Sequence, residues 1–262
     1  MKIIAKKSLG QNFLHDKDIL ELISNCTEIK DRHVLEVGPG TGNLTNVIIN
    51  KNPKKLFVVE KDQNLLTLLK KRFNDNITFI NDNILNVSEQ DLTKNKLIVF
   101  GNLPYNISTE ILTKWIVNLN SNIWFEKLIL MFQKEVADRI ISKYNTSSYG
   151  RLSIISNWKL NIKKITDIKP NSFKPKPKVD SSLLVFEPKK KFFKLKDADY
   201  LQKVTRVFFN QRRKKVKKPL NQLFINSDLI AKKLNIDLNL RPQNLSLETY
   251  CLIAKELEDL DG

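Results

Sequence analysis

The motif Asn102-Leu103-Pro104-Tyr105 has the residue types needed to hold an amine that is attached to a planar ring. Such an amine, as in adenine, is a poor nucleophile because its lone pair is delocalised into the ring, and deprotonating it needs an implausibly strong base. The Asn102 side-chain oxygen and a backbone carbonyl in the Leu103-Pro104 region can instead accept its two N–H groups, since proline fixes the local conformation. Tyr105 can stack on the ring. Catalysis is then mainly positioning of the amine for an already activated methyl group.

The elements that must position this motif are predicted by short apolar runs that alternate with helical patterns. The predicted strands are 33–37, 56–60, 77–80 and 96–100, with 63–73 as an intervening helix and 128–132 and 182–186 as further strands. Strands that alternate with helices predict a mostly parallel, doubly wound sheet. Asn102 lies two residues after the end of the fourth strand, at the carboxyl edge where such sheets bind ligands.

A change of pattern after Pro188 predicts a second domain. The later segments that look helical are 200–209, 219–225 and 247–257, and no strand signal separates them. We therefore expect a catalytic domain at 1–188 and a small all-helical domain at 189–262. The stretch 169–178 carries three prolines and no strong period, which predicts a surface loop.

A glycine-rich turn after the first strand predicts a cofactor site. Gly38 and Gly40 let the backbone turn tightly and approach a ligand closely. Asn43 stands where a dinucleotide fingerprint needs a third glycine, which disfavours a pyrophosphate cofactor and suits the methionine end of S-adenosylmethionine. Glu60 can accept both ribose hydroxyls, and Asp82 can accept the adenine amine. Each carboxylate alone is more often a loop or cap residue, but three ordered signals on successive strand ends favour the cofactor.

The basic residues predict a polyanionic partner. Lys and Arg number 45 against 28 Asp and Glu, which gives a net charge of +17. Six basic residues lie in 211–218 and six lysines in 163–178, and by sequence order these clusters flank the proposed site. A charge run is usually only a solvated face. Here we favour contacts with an RNA backbone, by Arg212, Arg213, Lys214 and Lys215, which gives the helical domain an RNA- or ribosome-binding role.

Other classes of site are disfavoured by composition. Cys26 and Cys251 lie far apart, and the chain has only two histidines, so we expect neither a disulfide framework nor a metal site. No apolar run reaches the ~18 residues that a membrane span needs. The first residues lack the pattern of a secretory signal or organelle presequence. These features lead us to expect a cytoplasmic protein without a membrane partner.

With these motifs in place, the chain closely resembles the KsgA/RsmA family of ribosomal RNA small-subunit adenine N6-dimethyltransferases. The resemblance covers nearly the whole chain and is carried by Gln11-Asn12-Phe13-Leu14, Glu36-Val37-Gly38-Pro39-Gly40, Asn102-Leu103-Pro104-Tyr105, Gln133-Lys134-Glu135-Val136-Ala137-Asp138-Arg139, Tyr149-Gly150-Arg151-Leu152-Ser153, the 173–181 stretch and Phe209-Asn210-Gln211-Arg212-Arg213-Lys214. It implies a Rossmann-like class I S-adenosylmethionine methyltransferase fold. It also implies two methyl transfers to each of two adjacent adenines near the 3′ end of 16S ribosomal RNA, in the small subunit or its precursor, by an enzyme that we expect to be a monomer.

The resemblance also assigns roles to individual residues. It implies a flap at 11–14 over the cofactor, and it places Phe173 opposite Tyr105, so that the two rings would clamp the target base. It implies that the cofactor is contacted by Asn12, Leu14, Gly38, Glu60, Asp82 and Asn102.

Three alternatives remain open. An Erm-type 23S ribosomal RNA methyltransferase shares the fold, the glycine turn and the flap, although the 9–14 start and the 173–181 stretch favour the small-subunit family. A non-catalytic nucleic-acid-binding relative conflicts with the intact Asn102 motif. An NAD-dependent oxidoreductase needs the third glycine and a hydride-handling residue, and we find neither.

Overall fold

The computed structural model describes residues 5–6, 9–73, 76–119 and 123–261. Its strands are β1 (Phe13–Leu14), β2 (His33–Val37), β3 (Lys55–Val59), β4 (Ile77–Ile80), β5 (Leu97–Gly101), β6 (Phe125–Gln133), β7 (Leu160–Ile168), β8 (Phe173–Lys174) and β9 (Ser181–Pro188). Its α-helices are α1 (Lys17–Ser24), α2 (Asn43–Ile49), α3 (Gln63–Arg72), α4 (Glu89–Leu92), α5 (Ser108–Val117), α6 (Lys134–Ile141), α7 (Arg151–Lys159), α8 (Ala198–Asn210), α9 (Lys217–Leu223), α10 (Ser227–Lys233) and α11 (Leu247–Asp261).

The main sheet has seven strands in the order β4-β3-β2-β5-β6-β9-β7. Strands β2 to β6 pair in parallel, and β9 runs antiparallel to β6. Strands β3 and β4 are added on one side of β2, and the chain then crosses back to add β5 and β6 on the other side. This reversal opens a crevice at the carboxyl ends of β2 and β5. The structure therefore confirms the prediction of a Rossmann-like, doubly wound, mostly parallel sheet.

The central strands are mostly apolar because helices cover both faces of a parallel sheet. Strand β5 is buried throughout, as are all residues of β2 after His33 and of β3 after Lys55. The register aligns Val37 with Val59 on one side and with Gly101 on the other. Because these three strand ends are level, the turns that follow them lie side by side.

A second, small sheet joins the chain near its N-terminus to the stretch predicted as a surface loop. Strands β1 and β8 pair antiparallel, with Phe13 opposite Lys174 and Leu14 opposite Phe173. The stretch 169–178 is thus not simply a surface loop, since Ser172 and Phe173 in it are buried. The prolines correctly predicted irregular backbone in this stretch. Local composition could not predict that part of it pairs with a strand far away in the sequence.

The chain divides into two compact units. One comprises the described parts of 1–114, 119–137 and 161–188, and the other comprises those of 115–118, 138–160 and 189–262. The first holds the seven-stranded sheet, and the second holds the helices after Pro188 together with α7. The separate functional roles predicted for 1–188 and 189–262 stay predictions.

The helical unit has an aromatic core between α8 and α11. The rings of Phe208 and Tyr250 meet edge to face, with centroids 5.4 Å apart. The Tyr250 hydroxyl donates to the Pro242 carbonyl oxygen at 2.7 Å, which satisfies the only polar atom of a fully buried side chain. Within the described ranges, none of the helices is long and apolar enough to cross a membrane.

Candidate active site

A single cleft at the carboxyl ends of β2, β3 and β5 collects nearly all of the residues predicted for cofactor binding and catalysis. The cleft is open to solvent, and its empty space up to that solvent is about 1180 Å³. The predicted residues that line it are Asn12, Leu14, Gly38, Gly40, Glu60, Asp82, Asn102, Leu103, Pro104 and Tyr105. Residues from five separate stretches of sequence therefore converge on one site, whereas Phe173 does not line it.

The glycine turn after β2 holds its backbone in a conformation that favours glycine. Gly38 and Gly40 have φ values of +69° and +59°. A Cβ atom on Gly40 would lie 2.7 Å from a ring carbon of Phe13, which is too close for any side chain. Gly40 therefore lets the Phe13 ring close over the turn, and Phe13 joins the cleft as an aromatic residue that sequence reasoning did not assign individually.

Glu60 ties two backbone segments of the site together. One carboxylate oxygen accepts from the Gly40 amide at 3.3 Å, and the other accepts from the Asp62 amide at 2.8 Å. Burial raises the pKa of Glu60, although these hydrogen bonds oppose the effect. Glu60 thus fixes the glycine turn against β3, and its predicted contact with ribose hydroxyls stays a prediction.

Asp82 lies on the exposed rim of the cleft. Its Oδ1 accepts from the Asn83 amide at 2.6 Å and from the Asn86 side-chain nitrogen at 2.9 Å. These bonds orient the carboxylate while leaving Oδ2 as a further acceptor. The position is compatible with the predicted contact to an adenine amine, which remains a prediction.

Glu36 is a buried carboxyl group in the same cleft that the sequence analysis did not assign a role. It is 1% exposed, and its Oε2 meets no hydrogen-bond donor among the described residues. Burial raises its pKa to about 8, and the charge of nearby Glu60 adds to the shift. A buried carboxylate oxygen without a donor costs free energy, and a cationic ligand would offset that cost. The signal for this role was its position one residue before the end of a predicted strand.

Asn102 is oriented by the N-terminal flap. Its side-chain nitrogen donates to the backbone carbonyl oxygen of Asn12 at 2.8 Å. Because a carbonyl oxygen can only accept, the amide nitrogen must face Asn12, and Oδ1 becomes the outward acceptor end of the side chain. Sequence analysis predicted the acceptor role of Asn102 but not the residue that orients it.

The rest of the motif forms a fixed turn into α5. Leu103 is buried, and the Pro104 carbonyl oxygen accepts from the Ile107 amide at 3.1 Å, which leaves one lone pair for a further bond. The Ser108 hydroxyl donates to the Tyr105 carbonyl oxygen at 3.2 Å. The Tyr105 hydroxyl hydrogen-bonds to the Ser181 hydroxyl at the start of β9. Tyr105 is therefore held at both its backbone and its ring.

The flap at 11–14 is anchored at several points within the sheet unit. Gln11 donates to Asp62 through its side-chain nitrogen at 3.2 Å, and Asp62 also forms a 2.9 Å ion pair with Lys6. The Leu14 carbonyl oxygen accepts from the Asn43 side-chain nitrogen at 2.7 Å. These contacts hold the flap beside the glycine turn, where a segment that covers a cofactor has to lie.

The structure contradicts the predicted placement of Phe173. Its side chain is 1% exposed and belongs to the hydrophobic core with Leu14 and Leu20, so it offers no ring face to a base beside Tyr105. Its place follows from the β1–β8 pairing, which draws the ring inward opposite Leu14. We do not propose Phe173 as part of an aromatic clamp.

The predicted RNA-binding residues all lie in the helical unit, but they differ in what they contact. The Arg212 guanidinium donates to the Ser147 carbonyl oxygen and, at 3.3 Å, to the Gln243 side-chain oxygen. The other three, Arg213, Lys214 and Lys215, are exposed. Arg212 therefore helps to hold the unit together, while its three neighbours present charge to solvent.

The lysines of 163–178 divide in the same way. Lys164 pairs with Asp167 at 2.7 Å, and Lys169 pairs with Asp180 at 2.7 Å. The remaining four, Lys163, Lys174, Lys176 and Lys178, are exposed. Part of this cluster is thus neutralised within the sheet unit.

The doubly wound sheet, the glycine turn after β2 and the Asn-Leu-Pro-Tyr turn after β5 together define a class I methyltransferase. Comparison with known proteins narrows the class. Residues 4–259 match the profile of the ribosomal RNA adenine dimethylase family. The chain belongs to that family.

Relatives and solved structures agree with this membership. A relative in Pelagibacter ubique, named ribosomal RNA small subunit methyltransferase A, is 63% identical over the full length of both chains. One of the same name in Ehrlichia ruminantium is 42% identical over 96% of this chain and 97% of its own. A dimethyladenosine transferase from Plasmodium falciparum superposes with a TM-score of 0.76 at 26% identity, covering 92% of this chain and 95% of that one. The 23S ribosomal RNA methyltransferase ErmE shares the fold, with a TM-score of 0.68 at 21% identity, covering 95% of this chain and 100% of that one.

Proposed function

We propose that this chain transfers methyl groups from S-adenosylmethionine to the N6 amines of two adjacent adenines near the 3′ end of 16S ribosomal RNA. The observation that carries the proposal is the direction of the Asn102 side chain. Its nitrogen is committed to the Asn12 carbonyl oxygen, so Oδ1 is the end that can accept from a target amine. An aspartate or leucine at the same place would supply the shape without this combination of donor and acceptor.

The charges of the cleft fit S-adenosylmethionine. Three carboxyl groups line it, from Glu36, Glu60 and Asp82. The cofactor carries a sulfonium and an ammonium group, and both are stabilised by nearby carboxylates, whereas the pyrophosphate of a dinucleotide would be repelled. The unsatisfied Oε2 of Glu36 adds an acceptor for a cationic group. Glu60 and Asp82 would hold the ribose and the adenine of the cofactor, and Asn12 and Leu14 of the flap would cover it.

In this mechanism the protein positions the target amine. When bound, S-adenosylmethionine supplies a methyl group that is already activated by the positive sulfur. The Asn102 Oδ1 accepts one N–H of the adenine amine, and the second lone pair of the Pro104 carbonyl accepts the other. Tyr105 stacks on the base and fixes its plane. When the amine takes up the first methyl group, it releases one of its two protons to solvent. It keeps one N–H, so one of the two acceptors is enough to orient it for the second transfer.

The RNA substrate is proposed from the relatives and from charge. The relatives at 63% and 42% identity are named for the small ribosomal subunit. The exposed residues Arg213, Lys214 and Lys215 suit the RNA backbone, with Arg212 holding their segment in place. Contacts of this kind position the substrate, so the choice of adenine falls to the cleft and to RNA shape.

The setting of the reaction is proposed from the same features. Both cysteines are free thiols, which fits the reducing cytoplasm where ribosomal subunits assemble. We propose that the chain acts as a monomer on the small subunit or its precursor.

The substrate is tested by methylating isolated ribosomal subunits. Subunits from a strain that lacks this activity would be incubated with the protein and S-adenosylmethionine carrying a labelled methyl group, and the RNA mapped by mass spectrometry. We expect N6,N6-dimethyladenosine at two adjacent positions of the small-subunit RNA. Label confined to the large subunit would instead support an Erm-type enzyme. If calorimetry detects no binding of S-adenosylmethionine to the wild type, and Glu60→Ala changes nothing, the chain would instead be a non-catalytic relative.

A further inference from the structure

Two adjacent serines at the start of β9 are fully buried. Ser181 and Ser182 both have 0% exposure. A buried hydroxyl group is costly unless it is hydrogen-bonded, so the partner of each one indicates what it is for. The Ser182 hydroxyl donates to Asp167 Oδ1 at 2.6 Å, whereas the Ser181 hydroxyl bonds to the hydroxyl of Tyr105 in the cleft.

Ser181 is held rigidly by the sheet. It lies opposite Gln133 in the antiparallel β6–β9 pair. The preceding carbonyl, of Asp180, accepts from the Lys134 amide at 2.9 Å. The Ser181 hydroxyl is therefore a fixed point of the scaffold.

Tyr105, in contrast, lies in a turn between β5 and α5. Its ring is half-buried in the cleft wall, and burial raises the pKa of its phenol, so the hydroxyl stays protonated at neutral pH. The Ser108 hydroxyl fixes its backbone carbonyl, but among the described residues only the Ser181 hydroxyl is hydrogen-bonded to the far end of its ring. Precise sites place a group on a rigid element or tie it to one.

We propose that Ser181 is a positioning residue for methyl transfer. Through the Tyr105 hydroxyl it sets the direction of the ring, and therefore the plane in which the target adenine stacks above the Asn102 acceptor. This role rests on the proposed function, since it matters only if a planar base enters the cleft. It gives the start of β9, as well as the Asn102–Tyr105 motif, a part in positioning the base.

The test uses the full chain and small ribosomal subunits as substrate. Ser181→Ala should lower kcat by about fivefold, the scale of one lost hydrogen bond, and leave the Kd for S-adenosylmethionine within about twofold. Tyr105→Phe keeps the ring and removes the same bond, so it should lower kcat to a similar extent. The double variant should lose no more than either single one, because both changes break one bond.

Ser182→Ala is the matched control. It is the same substitution one residue away, at the same burial, and it breaks the bond to Asp167 instead. It should lower thermal stability while leaving kcat unchanged. A wild-type kcat in Ser181→Ala would overturn the proposal. It would also be overturned if Ser181→Ala and Ser182→Ala lost kcat equally and in proportion to their loss of thermal stability. Failure of the wild-type chain to methylate any adenine would instead overturn the proposed function, so the two failures are distinguishable.

Discussion

Replacing Glu36 by glutamine should change how the stability of the protein depends on pH. The carboxyl group is fully buried, and its Oε2 has no donor among the described residues. Glutamine has nearly the same shape but does not titrate. Any cost of burying the amide is the same at every pH, so the pH dependence isolates the carboxyl group.

The sign and size follow from the pKa. Burial raises the pKa of Glu36 from 4.5 to about 8. A group that binds its proton more tightly in the folded state contributes stability that is fully present below pH 4.5 and is lost as the pH rises through 8. At about 1.4 kcal/mol per pH unit, the loss reaches about 3 kcal/mol at pH 7 and approaches about 5 kcal/mol above pH 8. Glu36→Gln should lack this loss.

Urea denaturation of both proteins without cofactor, between pH 5 and pH 9, measures the difference. The free energy of unfolding of the variant, minus that of the wild type, should increase as the pH rises. A cationic ligand favours the ionised carboxylate, so calorimetry should also show proton release when S-adenosylmethionine binds the wild type at pH 7, and less release with the variant. Parallel pH profiles for the two proteins would refute the reasoning, because they would mean that Glu36 has an ordinary pKa.

Two further predictions concern the glycine turn and the basic surface. Gly40→Ala places a Cβ against the Phe13 ring at a φ of +59°, so it should weaken cofactor affinity by about tenfold in calorimetry. Changing Arg213, Lys214 and Lys215 together to alanine should weaken RNA binding and lower the slope of log K against log salt by about 2, since roughly 0.7 is lost per phosphate contact.

Each of these predictions has a control in the chain. Gly150 has an extended backbone, and a Cβ there would lie 3.9 Å from its nearest neighbours, so Gly150→Ala should leave cofactor affinity unchanged. Lys54, Lys70 and Lys71 are exposed, and their joint replacement removes the same charge from elsewhere. Wild-type affinity in Gly40→Ala would show that the turn tolerates a side chain. Equal salt slopes for the two triple variants would show that net charge, and not the 213–215 surface, drives RNA binding.

The sequence was most informative where function depends on local structure. Buried parallel strands are apolar runs, and the residue after such a strand lies at the ligand-binding edge whatever the rest of the fold does. Glu60, Asp82 and Asn102 could therefore be placed in one cleft before any coordinates were known. The residue-level roles of these side chains remain proposals.

Contacts between distant parts of the chain could not be predicted in this way. The pairing of β1 with β8 joins residues about 160 positions apart, and it places Phe173 opposite Leu14 in the buried core. The bond between Tyr105 and Ser181 depends on the register of β9 against β6, which the apolar pattern of either strand does not specify. Glu36 lies in a predicted strand, but the burial that raises its pKa comes from packing on all sides of that strand, which the local sequence does not specify.

The most direct measurement is single-turnover methyl transfer to small ribosomal subunits by Asn102→Ala, compared with the wild type at saturating S-adenosylmethionine. Because Asn102 Oδ1 is proposed to hold the target amine, the variant should lose transfer by at least about a hundredfold while its calorimetric Kd for the cofactor stays within about tenfold. Wild-type rates of N6,N6-dimethyladenosine formation by Asn102→Ala would contradict the proposed mechanism.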